Sequence, residues 1–239
     1  MRVKTLNAKN YIKEIITKVE RGQIPPEKAW AEITKMKNEY IKQYSQQSWN
    51  SFIGHNFEKV IYPIIKSYLR RKKSENPIFS GLDVLTESEL KSNDILVRKL
   101  AVRYGDFLLL PDVDIVIVDI DYNENWRSEI LAICSCKTSL RERIAQACYW
   151  KLKLVSSDST RNVRVFLVTT DNDDDFSIIN KNKDRFDGKH RNRIIAEYEL
   201  DGIYILKDEF PKDWESEKVK HYEAIFDDIV KIFKEIRKI

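Results

Sequence analysis

Leu108–Lys153 holds four consecutive runs: LLLPDVDIVIVDI (Leu108–Ile120), DYNENWR (Asp121–Arg127), SEILAICSCKTS (Ser128–Ser139) and LRERIAQACYWKLK (Leu140–Lys153). The first is apolar and rich in β-branched residues, which predicts a buried strand over Leu108–Ile120 opened by Pro111. Glu129–Cys136 predicts a second strand, and the polar turn between the two is short enough to make them an antiparallel hairpin. Folding that hairpin near Glu124 and Asn125 sets Asp112 and Asp114, at the start of one strand, opposite Ser135 and Lys137, at the end of the other. Side chains alternate along a strand, so each pair also shares a face.

Acidic groups and a lysine converging at one end of a hairpin suit metal-dependent phosphodiester chemistry. Carboxylates bind Mg²⁺, the metal lowers the pKa of its water, and a lysine can hold the attacking water and stabilise the pentavalent transition state. Asp112 and Asp114 fall on the same face, and hairpin register alone leaves both open as the main ligand.

Pro111-Asp112 followed by Ser135-Cys136-Lys137 resembles the PD-(D/E)XK nuclease superfamily, with serine in the second acidic position. The continuation from Lys137 to Gln146, KTSLRERIAQ, is similar to the K-x-x-x-(R/K)-(D/E)-R-x-x-Q run of type II restriction endonucleases of the EcoRII, NgoMIV and BsaWI kind, the BsaWI-like branch most of all. The resemblance implies a mixed α/β sheet flanked by helices and a helix start that reads C·G pairs through Arg141, Glu142 and Arg143, with Gln146 closing the run. Arginine suits guanine O6 and N7, and glutamate can accept from cytosine N4; a helix start also favours Glu142 on its own account, and the arginines could serve phosphates or salt bridges. It further implies a G-x-x-x-E helix before the hairpin, matched here by Gly54 and Glu58, whose glutamate reaches the metal. The pattern departs at Trp150, where relatives with serine in the tripeptide carry an acid; this raises the weight on Glu58 and Asp114. Implied catalytic residues are therefore Asp112, Asp114, Glu58, Ser135 and Lys137, with Asp112, Asp114 and Glu58 on Mg²⁺.

Outward from this stretch, Asn7–Gly22 and the segment after Pro25-Pro26 predict two amphipathic helices, a helical hairpin subdomain over residues 1–45 on a nuclease core over 46–239. Such a hairpin is too small to stand alone and must pack on the core or on a second subunit. A long helix is expected over Ser48–Lys73. Residues 74–95 read as a loop with a short helix, and Ile95–Tyr104 as a strand or extended arm. Arg164–Thr169 predicts a strand parallel to the metal hairpin, Gly202–Leu206 a short strand, and Lys218–Lys238 a closing helix. The acidic run Asp171–Asp175 reads as a solvated loop, since the glycine and distal glutamate of a calcium loop are missing.

The 239 residues are 42% hydrophobic and 33% charged, as in a folded globular chain. No run of 18 or more apolar residues occurs, and the basic start lacks an apolar signal core, so a cytoplasmic protein without a membrane partner is expected. Few glycines and many lysines and isoleucines suit a prokaryote. A net charge of +4 is only mildly basic; the clusters Lys66 to Lys73 and Arg185 to Arg193 could meet phosphates or be solvated surface. Cys134, Cys136 and Cys148 are expected to be reduced and structural.

The function expected is Mg²⁺-dependent cleavage of double-stranded DNA at a short palindrome containing CCGG or a related core. A palindrome calls for a homodimer or higher homo-oligomer. The rivals are a structure-specific repair nuclease or junction resolvase on the same core, and a DNA-binding protein without catalysis.

Overall fold

The structure, a computed structural model, describes residues 7–140, 142–179, 185–207 and 209–239. The chain opens with α1 (Ala8–Glu20), where the Asn7 side chain accepts from the Asn10 N–H and so satisfies a helix-end donor. Gly22, at φ +72°, ends it in a conformation that costs glycine little. Pro25-Pro26 and a single 3-10 turn lead into α2 (Ala29–Gln43). Then α3 (Gln46–Glu75), capped by Ser45, runs for 30 residues, or about 45 Å.

Next come β1 (Leu82–Thr86), α4 (Glu87–Lys91), α5 (Asp94–Leu100) and a small antiparallel ribbon of β2 (Val102–Tyr104) with β3 (Phe107–Leu109). The hairpin expected to carry the site is β4 (Ile115–Asp119) with β5 (Glu129–Lys137), and α6 (Arg143–Val155) leads to β6 (Arg164–Thr169). A two-residue ribbon, β7 (Arg185–Phe186) with β8 (Lys189–His190), precedes α7 (Arg191–Glu199), β9 (Gly202–Ile205), β10 (Val219–His221) and α8 (Ala224–Arg237).

Six strands form one mixed sheet in the order β1-β4-β5-β6-β9-β10. Pairing is antiparallel from β1 to β5 and parallel from β5 to β10. Alternation divides the core. Ile115, Ile117, Cys134, Cys136, Phe166 and Val168 face α1, α2, α3 and α8. Val116, Val118, Ile133, Val165 and Leu167 face α5, α6 and α7. The first face is fastened by α3, where Ile61, Ile64 and Ile65 are fully buried, each stabilising by about 2 kcal/mol. The N-terminal helices share this cluster, and the Trp30 indole N–H donates to the Leu206 carbonyl at 3.1 Å.

Four expectations change. The apolar run Leu108–Ile120 is two strands: Pro111 and the two aspartates interrupt it, so β3 pairs outside the sheet and only β4 is buried on both faces. Residues 74–95 contain the edge strand β1 as well as the short helix. Asp94–Leu100 is helical, since Asn93 caps the Ile95 and Leu96 N–H groups and Leu96 and Leu100 bury one face. The C-terminal segment first adds β10 to the sheet and becomes helical only at Ala224. Among the described residues, no helix is long and apolar enough to cross a membrane.

Candidate active site

The candidate site forms where β4 begins and β5 ends. Asp114 immediately precedes β4; its N–H donates to the Cys134 carbonyl at 3.2 Å, which places the carboxylate at the sheet end. One carboxylate oxygen, Oδ2, accepts from the Cys136 N–H at 2.7 Å, and the other, Oδ1, accepts from Lys137 Nζ at 3.0 Å. Both side chains of this ion pair are about four-fifths buried, so the charges meet in a medium that screens less than water.

Glu58 approaches from α3. Its carboxyl is pushed above the usual range, first by burial and then by the Asp114 charge, with Lys137 opposing. The close pass of α3 is made at Gly54, one turn earlier: a Cβ there would stand 3.2 Å from Thr138 Oγ1. The chain thus brings Glu58, Asp114 and Lys137 into one electrostatic unit.

Asp112 is turned elsewhere. Its Oδ2 accepts from Gln146 Nε2 at 2.6 Å, and Gln146 Oε1 in turn accepts from Arg143 at 3.0 Å. Ser135 lines a small niche of about 10 Å³ with Asp112, Gln146 and Trp150, room for about one water. Trp150 therefore closes the side on which relatives were expected to carry an acid. Glu142 is exposed at the start of α6, beside Arg143. Arg141 lies outside the described residues.

The donor set can be weighed by its chemistry. Among the described residues, no group of three or more acidic, histidine or cysteine side chains is arranged to hold a metal ion. Two carboxylates whose charges repel each other are nonetheless a fit for Mg²⁺, which commonly takes one or two protein carboxylates and completes its shell with waters and substrate phosphate. In this structure Lys137 supplies the positive charge beside Asp114.

The acidic run Asp171–Asp175 is corrected in part: Asn172, Asp173 and Asp174 lie in an exposed loop, as expected, but Asp171 and Asp175 are buried and the run serves as a structural latch. Asp171 is fully buried and accepts from the Asp175 and Phe176 N–H groups. Burial pushes its carboxyl up to about 7. Asp173 accepts from Ser139 Oγ at 2.6 Å and from the Leu140 N–H at 3.0 Å, which fixes the entry into α6. Asp175 pairs with His190 and Asn192. The signal for Asp173 lay in topology: β5 and β6 pair in parallel register through Lys137 and Thr169, so the segments following them run side by side.

The basic clusters are largely spoken for. Lys66 and Lys73 pair with Asp83, Lys72 with Glu75 and Arg71 with Glu27. Arg193 is fully buried and donates to the Phe176 and Trp214 carbonyls and to Glu197. The cysteines are free and buried, as expected.

Residues 88–228 match the family model described as BsaWI restriction endonuclease type 2. A chain assigned as the type II restriction enzyme MjaVIP of Methanocaldococcus jannaschii is 38% identical over 214 residues, covering 83% of this chain and 86% of the relative. One assigned as the type II restriction enzyme HpyAORF263P of Helicobacter pylori is 33% identical over 157 residues, covering 61% and 77%. Among solved structures, that of a restriction endonuclease PspGI–substrate DNA complex is similar with a TM-score of 0.49 and 15% identity, covering 96% of this chain and 94% of that one. On the strength of the family match and the first relative, this chain belongs to the BsaWI family of type II restriction endonucleases, site-specific deoxyribonucleases.

Proposed function

We propose that the chain hydrolyses both strands of duplex DNA at a short palindrome with a C·G core, CCGG or a close relative of it, using Mg²⁺ and acting as a homodimer or higher homo-oligomer. The observation that carries this reading is the Asp114–Lys137 pair with Glu58 beside it, Lys137 standing six residues before the start of α6. It supports a PD-(D/E)XK type of site in which Asp114 is the main ligand.

Asp114 and Glu58 would hold the metal, which when bound supplies Lewis-acid stabilisation of the phosphodiester. Lys137, released from its bond to Asp114, orients a water for in-line attack and offers charge to the phosphoryl oxygens as they become more negative. Ser135 adds a neutral hydroxyl to the niche beside Asp112. The products expected from the family resemblance are 5′-phosphate and 3′-hydroxyl ends. Arg143 and Gln146, with Glu142 and Arg141, would present donors and an acceptor to base edges in the major groove. In this reading Asp112 holds Gln146 in orientation for the groove.

The test is incubation of the protein and its Lys137→Ala variant with plasmid DNA, with Mg²⁺ or with chelator, followed by sequencing of the ends. Discrete Mg²⁺-dependent fragments sharing one palindrome, absent with the variant, are expected. Cuts at unrelated sequences or at junctions would favour a structure-specific nuclease. Salt-sensitive binding without any cleavage would leave only a DNA-binding role.

A further inference from the structure

Three consecutive apolar residues on β3 are open to solvent: Phe107, Leu108 and Leu109 are 72%, 63% and 50% exposed. Neighbouring side chains on a strand point to opposite faces, so both faces of this ribbon strand are open. Its outer edge is open too, since among the described residues β3 pairs with β2 alone. Free edges are ordinarily blunted by lysine, proline or a bulge, and the strand itself carries none of these. An isolated two-stranded ribbon is marginal in water, so this one is built to be covered.

The ribbon is continuous with a second apolar stripe. Tyr104 Oη lies 2.8 Å from Tyr149 Oη on α6, and Lys153 Nζ stands over both rings, at 5.1 and 5.7 Å from their centres. From Tyr149 the stripe runs along α6 through Leu152 and Val155, each close to half exposed or more. Together the six residues expose on the order of 600 Å², about the largest patch an ordinary monomer shows. That is most of the roughly 800 Å² per partner in a standard stable interface.

We propose that this face, the β3 edge with the Tyr149–Leu152–Val155 stripe, is the surface on which a second copy of this chain docks about a two-fold axis. An antiparallel edge strand is its own complement under such an axis, because each copy offers the other the same alternation of N–H and C=O groups. The same helix that carries the interface begins at Arg143 and Gln146, so docking would fix the separation of the two base-reading ends. That last consequence rests on the proposed cleavage of a palindrome; the interface itself does not.

The native cysteines are all buried, which makes an introduced thiol the reactive one. In Leu108→Cys, mild oxidation is expected to give a covalent dimer, while Trp126→Cys, exposed on the turn between β4 and β5, gives none. Sedimentation at micromolar concentration is expected to show a dimer for the unmodified protein. For Leu108→Glu and Leu152→Glu the dissociation constant should rise by tenfold or more, with unchanged circular dichroism, since both side chains are already in water. Variants that stay dimeric, or a protein that is monomeric both free and on DNA, overturn the proposal. Variants that stay dimeric but bind DNA weakly give the face to the duplex and overturn it equally. Dimerisation through this face in a protein that cuts no DNA would refute the cleavage reading and leave the interface standing. Palindromic cleavage by variants that remain dimeric would do the reverse.

Discussion

Asp112 and Asp114 stand two residues apart, both just before β4, and hold different partners: Gln146 at 2.6 Å for the first, Lys137 at 3.0 Å for the second. Their substitutions should therefore fail differently. Asp114→Asn is expected to lower kcat by about 10³-fold or more, since it removes the partner of Lys137 and, in the proposed site, a donor to the metal. Asp112→Asn should weaken discrimination between the palindrome and single-base variants by about tenfold, with a smaller effect on the rate at saturating cognate site. Cleavage kinetics on matched and mismatched duplexes decide the matter; equal loss of kcat in both variants would put the two aspartates on one metal.

Gly54 offers a test of the approach of α3. Alanine in a helix interior is favoured over glycine by up to about 1 kcal/mol, yet a Cβ at position 54 meets Thr138 Oγ1 at 3.2 Å. Gly54→Ala is expected to melt no lower than the parent but to cleave about tenfold more slowly, through displacement of Glu58. Adding Thr138→Ala removes the clash and should restore most of the rate. A double-mutant cycle with no coupling would show that the close pass does not set the site.

Asp173 holds the loop that enters α6 by two charge-assisted bonds, from Ser139 and the Leu140 N–H. Asp173→Ala should destabilise the fold by about 2 kcal/mol in urea titration. It should also raise KM for the cognate duplex more than it lowers kcat, because the start of α6, proposed to read bases, loses its anchor while Asp114, Glu58 and Lys137 stay in place. An unchanged KM would assign the latch to stability alone.

Asp171 makes stability fall as pH rises. Its folded carboxyl titrates at about 7 against an ordinary 3.8. Between those values the folded state binds the extra proton, so stability is fully present below about pH 4 and declines through pH 7. An asparagine side chain would suit the positive φ of 47° at this position and would accept the same N–H bonds without a charge. The expected result is that Asp171→Asn melts progressively higher than the parent as pH goes from 5 to 8; parallel melting curves would falsify the assignment.

How much of this could be read in the sequence follows from where the information resides. The β4–β5 hairpin, the parallel β6 and the α6 helix were legible because each has a long, strongly periodic apolar pattern with turn residues at its ends. The strand β1 was hidden in polar surroundings, and LDVLT declares itself only when antiparallel pairing with β4 buries Leu82 and Val84. The run Leu108–Ile120 hid its break, since hydrophobicity is continuous through Leu110 while pairing is not. At the candidate site, Lys137 was singled out by the hairpin spacing and Glu58 by the family resemblance, and the different partners of the two aspartates appear only with the reach of Gln146 across from α6. The acidic run misled because composition reports charge, and the neighbouring N–H groups that take Asp171 out of water belong to a turn shape that composition does not encode.

The turn between β4 and β5 is at the opposite end of the hairpin from Asp114 and Lys137. Its base is tied by the Ser128 hydroxyl to the Asp121 N–H and by the Asp121 carboxylate to the Asn123 and Glu124 N–H groups, while Tyr122 and Trp126 stand out in solvent. A guest sequence entering between Glu124 and Trp126 would begin and end beyond those ties, leaving the strand register intact. This is accordingly the place to splice in a fluorescent reporter or a targeting module, and to give the enzyme a second specificity without touching the first.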